Sequence, residues 1–125
     1  IIADRPSFLT GFFANFFNLD VFGGTKITDA AVQMSWNVAI AASPIATLEC
    51  VDTWGTDFRA DLEKITIPTL VIHGDADRIV PLPASGDRTA KLVEGAELVV
   101  IPGGPHAITW THADEVNAAL GVFLV

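Results

Sequence analysis

Two short, unbroken apolar segments constrain the fold of this chain more than any other feature. They are "TLVIH" (69–73), which lies between Pro68 and Gly74, and "ELVVI" (97–101). Runs of this kind are typical of parallel strands that are buried on both faces of a sheet. A segment with helical character, 83–93, separates them. The order predicts a βαβ unit with a right-handed crossover, and therefore an α/β fold.

The first half of the chain is predicted to be helical. Its most regular feature is a phenylalanine stripe at helical spacing, made of Phe8, Phe12, Phe13, Phe16 and Phe17. We expect this stripe to pack in a core or an interface, and its alternative role is to line an acyl pocket. We therefore expect two segments, a helical one over 1–55 and a βαβα one over 56–125.

Capping residues and breakers place the helix boundaries. Glycines mark "LDVFGGTKI" (19–27) as a loop. The helices are expected to begin at the following residues: Asp4 or Ser7 for the first, Thr28 or Asp29 for the second (to about Ala41), Ser43-Pro44 for the third (to about Trp54), and Thr111 or Asp114 for the last.

Titratable side chains follow both apolar strands. Asp75 and Asp77 come after the first strand, and His106 comes after the second. Neighbouring parallel strands lie about 4.8 Å apart, and functional groups of open α/β sheets collect beyond their carboxyl ends. One of the aspartates can therefore accept a hydrogen bond from His106. Such a pair forms two of the three members of an acid–base–nucleophile triad.

The remaining histidines and the single cysteine carry weaker signals. We expect His73 to be a packed or hydrogen-bonded structural residue, and His112 to cap a helix or face solvent. Cys50 is expected to be a small buried apolar residue, and one cysteine cannot form an internal disulfide. Since no two histidines have the spacing of metal ligands, no metal site is predicted.

The segments "IPTLVIHGDADRIVP" and "GAELVVIPGGPHAITWTHADEVNAALGVFL" together resemble the C-terminal part of an α/β-hydrolase. Within that superfamily the chain is most similar to the cofactor-free haloperoxidases, which are also perhydrolases and aryl esterases. The upstream segments "FLTGFFANFFNLD", "SWNVA" and "TWGTDFRADL" resemble the helical cap of that group. The resemblance implies a helical cap over 1–55, followed by the last two parallel strands of the hydrolase core and their helices.

The resemblance also implies residue roles. Asp77 matches the triad acid and His106 the triad base, which leaves Asp75 to accept backbone N–H bonds within the turn. Ile108 and Trp110 follow the histidine, and we expect them to line the substrate pocket. The implied substrates are small esters or carboxylic acids, with no cofactor. Peracid formation would then lead indirectly to halide oxidation.

The chain departs from that pattern at the nucleophile. The family needs a serine within G-x-S-x-G, and none of Ser7, Ser35, Ser43 and Ser85 lies in such a motif. The chain also begins at Ile1 and stops at "GVFLV", so we expect a segment of a longer protein. Two hypotheses follow. A complementary N-terminal hydrolase chain supplies the serine, or the chain is an inactive truncated or engineered fragment that assembles into a closed homo-oligomer.

The charge balance bears on partners and location. Lys and Arg number 7 against 15 Asp and Glu, which makes the net charge −8. With no basic cluster and no apolar run of about 18 residues, neither nucleic acid nor a membrane is an expected partner. The lone cysteine suits a reducing compartment, and we expect a cytoplasmic location.

Overall fold

The computed structural model describes residues 2–125, which form two compact units. The first unit ends at Asp57 and the second is Phe58–Val125. The first contains α1 (Arg5–Phe16), α2 (Leu19–Phe22), α3 (Asp29–Ala41) and α4 (Pro44–Thr53). The second contains α5 (Arg59–Leu62), β1 (Leu70–Gly74), α6 (Gly86–Leu92), β2 (Glu97–Ile101), α7 (Ile108–Thr111) and α8 (Ala113–Phe123), with a 3-10 turn at Leu82–Ala84.

The long helices of the first unit begin at capping side chains. A side-chain oxygen accepts a backbone N–H three residues later, which satisfies one of the donors that a helix start leaves unpaired. The three bonds run from the Ser7 N–H to Asp4 (2.9 Å), from the Ala31 N–H to Thr28 (3.2 Å) and from the Ala46 N–H to Ser43 (3.2 Å). The caps are therefore Asp4 rather than Ser7, and Thr28 rather than Asp29.

The phenylalanine stripe packs along α1 as a continuous row of rings. Consecutive rings of the row have centroids 5.0 to 6.1 Å apart. Phe13 and Phe17 are buried, whereas Phe8 is 41% exposed. The expected packing role is confirmed for the buried members of the row.

One arginine ties α1 to the end of α3. The Arg5 guanidinium donates to the carbonyls of Ala39 (2.9 Å), Ile40 (3.2 Å) and Ala42 (2.9 Å). These carbonyls lie at the C-terminal end of α3, where the helix leaves carbonyls without their usual helical donors; that of Ala39 also accepts the Ala42 N–H. A positive charge at this end also complements the helix dipole.

The predicted loop over 19–27 is wrong in its first part, which forms the single turn α2. Asn18 adopts a left-handed conformation with φ of 48°, and its carbonyl accepts the N–H groups of Val21 and Phe22. These bonds close a single helical turn, and the glycines that follow end it. Gly24, with φ of 70°, takes the following left-handed position.

The second unit is built on a parallel pair of strands, which agrees with the predicted α/β fold class. β1 and β2 align from Leu70 opposite Glu97 to Gly74 opposite Ile101. The second strand has its predicted bounds, and the first lies one residue later than predicted. The predicted helix 83–93 is divided at Ser85, whose φ of −138° and ψ of −85° interrupt the helical conformation.

Helices cover both faces of this pair. Ile72, Val99 and Ile101 pack with Val116 of α8, while His73 faces Gly86 at the start of α6. Since side chains alternate along a strand, α6 and α8 lie on opposite faces. The strands are nevertheless half-buried rather than buried throughout, and Val100 is 38% exposed. In the described residues the sheet has two strands, so each strand also has an edge.

Two predictions about single residues are wrong. Cys50 is exposed and lies on α4, a helix that has no buried residue. His112 is buried and makes no side-chain cap bond to α8; its Nδ1 lies 2.8 Å from the Thr111 hydroxyl, which is also buried. Within residues 2–125, no helix is both long and apolar enough to cross a membrane.

Candidate active site

Two glycines let the loops beyond β1 and β2 approach closely. A Cβ at Gly74 would collide with the carbonyl oxygen of Gly104, and a Cβ at Gly104 would lie 3.0 Å from the Gly74 Cα. At Gly74 the nearest contacts are all backbone atoms, and at Gly104 the Ile108 side chain is met as well as backbone. The Ala76 N–H also donates to the Gly104 carbonyl at 3.1 Å. The site therefore depends on the absence of side chains at these positions.

Asp75 fastens one loop to the other. Its Oδ1 accepts the Gly103 N–H at 2.7 Å, across 28 residues of sequence. Gly103 itself has φ of 70°, in the left-handed region that favours glycine. Asp75 thus accepts a backbone N–H, as expected, although the donor comes from the second loop rather than from its own turn.

Asp77, unlike Asp75, is held by hydrogen bonds within its own turn. Its Oδ1 accepts the N–H groups of Ile79 (2.8 Å) and Val80 (2.9 Å). An aspartate that bonds the backbone two and three residues ahead closes a turn without help from other elements. The side chain is 3% exposed. The second carboxylate oxygen, Oδ2, is thereby directed away from its own turn.

Asp77 Oδ2 lies 2.7 Å from His106 Nδ1. With a proton on Nδ1, the imidazole donates to the carboxylate, and a charge-assisted bond of this length is strong. The His106 side chain is 33% exposed, so the ring reaches from a buried carboxylate towards solvent. The structure brings together the two residues that the sequence singled out, and it distinguishes Asp77 from Asp75 by their partners.

The electrostatics of the pair favour an ionised carboxylate. Burial, the largest single influence, raises the pKa of Asp77, but the hydrogen bonds from the Val80 N–H, His106 and the Ile79 N–H together outweigh it. The pKa of Asp77 therefore lies below its ordinary value. A carboxylate that stays charged in a buried position can hold the Nδ1 proton of a histidine and stabilise its imidazolium form.

A second imidazole contacts the same carboxylate. His73 Nε2 lies 2.9 Å from the Val80 carbonyl and 3.3 Å from Asp77 Oδ2. The hydrogen-bonded role expected of His73 is confirmed, but its nearness to the acid was missed. The sequence does contain a signal for this contact. His73 is a polar residue at the end of an otherwise apolar strand, four positions before the acid.

Ile108 and Trp110 lie in different surroundings on α7. Ile108 is buried and packs with Ile101 and Val116, while Trp110 is 50% exposed. Their role in a substrate pocket stays a prediction.

The four serines each have a local hydrogen bond. Ser7 donates to Asp4, Ser35 to the Ala31 carbonyl and Ser85 to the Pro81 carbonyl, and Ser43 caps α4. Across residues 2–125 no three His, Cys, Asp or Glu side chains gather as potential metal ligands.

A buried aspartate and a histidine beyond the ends of adjacent parallel strands, in that chain order, agree with the acid and base of an α/β-hydrolase. A family profile described as the alpha/beta hydrolase fold matches residues 3–113. The chain therefore belongs to the α/β-hydrolase family.

Several proteins that this chain resembles carry haloperoxidase names. A protein of Synechocystis sp. that carries the name of a non-heme chloroperoxidase is 55% identical, over 99% of this chain and 45% of its own length. The non-heme chloroperoxidase CPO-A1 of Kitasatospora aureofaciens is 36% identical, over 92% of this chain and 42% of its length. The bromoperoxidase of Bacillus anthracis superposes with a TM-score of 0.92 at 42% identity, over 98% of this chain and 45% of that structure.

The predicted resemblance is thus confirmed. The chain spans less than half the length of the relatives it matches.

Proposed function

We propose that this chain supplies the acid and the base of a serine hydrolase that cleaves small esters and forms peracids. The hydrogen bond between His106 Nδ1 and Asp77 Oδ2 carries the proposal. It is supported by the burial of Asp77 and by its lowered pKa. The names of the relatives, which include a bifunctional esterase/perhydrolase of Acinetobacter calcoaceticus at 32% identity, agree with this chemistry.

In the proposed reaction the nucleophilic serine lies outside this sequence. His106 Nε2 removes the serine proton as the hydroxyl oxygen attacks the ester carbonyl carbon, and Asp77 stabilises the resulting imidazolium. The tetrahedral intermediate then collapses, the bond to the alkoxy group breaks, and His106 protonates the departing alcohol. An acyl-enzyme is left.

Water or hydrogen peroxide completes the cycle. His106 deprotonates the incoming oxygen nucleophile, which attacks the acyl carbon and displaces the serine oxygen; that oxygen regains its proton from the imidazolium. Water yields the acid, and hydrogen peroxide yields the peracid. A halide ion then attacks the outer peroxide oxygen, which carries the proton, so that the O–O bond breaks and hypohalous acid and a carboxylate are released. Ile108 and Trp110 are proposed to line the acyl pocket.

Reconstitution tests the proposal. We would mix the chain with a separately purified N-terminal hydrolase chain that carries G-x-S-x-G, and measure hydrolysis of p-nitrophenyl acetate. Turnover is expected only in the mixture. In His106→Ala it should fall by at least about 1,000-fold, because members of a triad act as a unit.

Two controls make the test specific. His112→Ala changes a histidine outside the proposed triad, and in a folded variant it should keep most of the activity. Peracid, detected by oxidation of bromide with added hydrogen peroxide, should disappear together with the esterase activity. Equal turnover in His106→Ala and the unmodified mixture would refute the proposed role of His106.

A second candidate is a homo-oligomer without catalysis of its own, which the open side of β1 favours. Thr69 and Asp75 bond to β2 through their carbonyl and N–H groups, respectively. Since backbone groups alternate along a parallel strand, those of Leu70 and Ile72 point away from β2. An unpaired edge of this kind binds another strand readily, and a closed assembly through β1 would cover it.

Mass and amide exchange distinguish these candidates. A closed oligomer predicts a single discrete mass by light scattering and slow exchange of the Leu70 and Ile72 amides in the chain alone. A monomer with fast exchange at both amides, which becomes slow when the N-terminal chain is added, favours the hydrolase. The exposed Cys50 should remain reduced in either state, in keeping with the proposed cytoplasmic location.

A further inference from the structure

His73 occupies an unusual position beside the acid of the proposed triad. Its side chain is 14% exposed, and its Nε2 faces two acceptors: the Val80 carbonyl at 2.9 Å and Asp77 Oδ2 at 3.3 Å. A carbonyl oxygen can only accept, so the proton of His73 must lie on Nε2. The same N–H then also points towards the carboxylate oxygen that bonds His106.

The bond to Val80 has a second consequence. The Val80 N–H donates to Asp77 Oδ1, while the Val80 carbonyl accepts from His73. His73 therefore ties β1 to the far end of the turn that holds the carboxylate. Rotation of the Asp77 side chain would require this end of the turn to move.

The first residue of α6 accommodates the opposite edge of the His73 ring. A Cβ at Gly86 would lie 2.6 Å from His73 Nδ1 and 3.0 Å from its Cγ. Gly86 has no positive φ, and it is buried. Glycine is required here by the ring beside it, rather than by the backbone conformation.

We infer that His73 is a positioning residue for the Asp77–His106 pair, and that Gly86 provides the space it needs. The ring, with a proton on Nε2, holds the turn and fixes the direction of Asp77 Oδ2. His106 is thereby kept in the Nδ1–H tautomer, whose Nε2 can accept a proton. The catalytic consequence rests on the proposed function, whereas the effect on the tautomer does not.

The tautomers can be measured in the 125-residue chain by long-range ¹H–¹⁵N correlation spectra of the ring nitrogens. In the unmodified chain we expect an Nε2–H signature for His73 and an Nδ1–H signature for His106. His73→Phe keeps an aromatic ring without a donor, and the Nδ1–H signature of His106 should be lost to a mixture of tautomers. His73→Gln places an amide donor near the position of Nε2 and should restore the signature.

Gly86→Ala provides an independent route to the same result. It changes no atom of His73, Asp77 or His106, yet it displaces the His73 ring and should reduce the Nδ1–H signature of His106. Gly121→Ala is the matched control, because a Cβ there meets no atom within 4 Å. Far-ultraviolet circular dichroism identifies the folded variants.

Kinetics of the reconstituted enzyme separate this inference from the proposed function. His73→Phe should lower kcat about 10-fold and leave KM unchanged, as expected when a residue behind the reacting group is removed. A second outcome is that His73→Phe removes the Nδ1–H signature of His106 while no mixture with the N-terminal hydrolase chain shows turnover. That outcome would refute the proposed function and leave the positioning role of His73 intact. An unchanged His106 signature in folded His73→Phe, or an Nδ1–H signature for His73 itself, would overturn the inference.

Discussion

The two units differ in the range of the hydrogen bonds that position their elements. In the first unit, α1, α3 and α4 each begin at a side chain that accepts an N–H three residues later. In the second unit, α6, α7 and α8 begin without a side-chain cap bond. Its site is instead tied together by bonds across 28 and 29 residues. Local sequence therefore places the helix starts of the first unit, whereas the site of the second forms only when β1 and β2 pair.

The largest effect is expected where the two strand ends approach each other. Gly74→Ala should lower the free energy of unfolding of the second unit by about 3 kcal/mol, because the new methyl group meets backbone that cannot move aside. Urea unfolding followed by amide resonances of β2 measures the change. Gly121→Ala, in an open position of α8, should instead stabilise by about 0.5 kcal/mol. Equal effects of the two substitutions would contradict the close approach.

Arg5 is an exception to the short-range hydrogen bonds of the first unit, since its bonds cross 34 to 37 residues. Arg5→Ala should cost about 2 kcal/mol, because charged hydrogen bonds to three carbonyls are lost. Arg5→Lys keeps the charge but not the planar fork, and should cost less. Urea unfolding followed by amide resonances of α3 provides the measurement. If Arg5→Ala is neutral, local caps alone explain the first unit.

The hydrogen bonds that Asp77 accepts, from the Val80 N–H in its own turn and from His106 across the sequence, predict a dependence on pH. Because the folded-state pKa of Asp77 is lowered, the unfolded chain takes up the proton first as the pH falls. The stabilisation is complete above about pH 5 and is lost through and below the ordinary value of about 3.9. Asp77→Asn should cost about 1.5 kcal/mol at pH 7, and the difference from the unmodified chain should shrink below pH 4. A difference that stays constant from pH 7 to pH 3 would exclude this role.

Two serines give the smallest effects and the most direct contrast. Ser43 caps α4 through its side chain, whereas Ser85 precedes α6 without such a bond. Ser43→Ala should cost about 1 kcal/mol, and Ser85→Ala less than about 0.5 kcal/mol. Thermal unfolding measures both, and Ser43→Asp should retain most of the stability. A larger loss for Ser85→Ala would reverse the comparison.

The accuracy of the sequence predictions follows the same division. Capping residues next to proline or before an apolar repeat placed α3 and α4 to within a residue at their starts, and the apolar runs placed both strands to within one residue. The single-turn helices α2, α5 and α7 were missed, because four residues are too few to show a helical period. Cys50 was placed inside on residue type alone, but it lies on α4, which has no buried residue.

Residue types and their spacing determined the α/β class, the strand order, and the appearance of Asp75, Asp77 and His106 beyond strand ends. The choice of Asp77 over Asp75 came from the family resemblance, and only the tertiary structure gave its geometry and showed that His73 contacts the same carboxylate. The physical reason is distance along the chain. A cap is made by residues three apart, but a bond across 29 residues requires the parallel register and two glycines that let the loops approach.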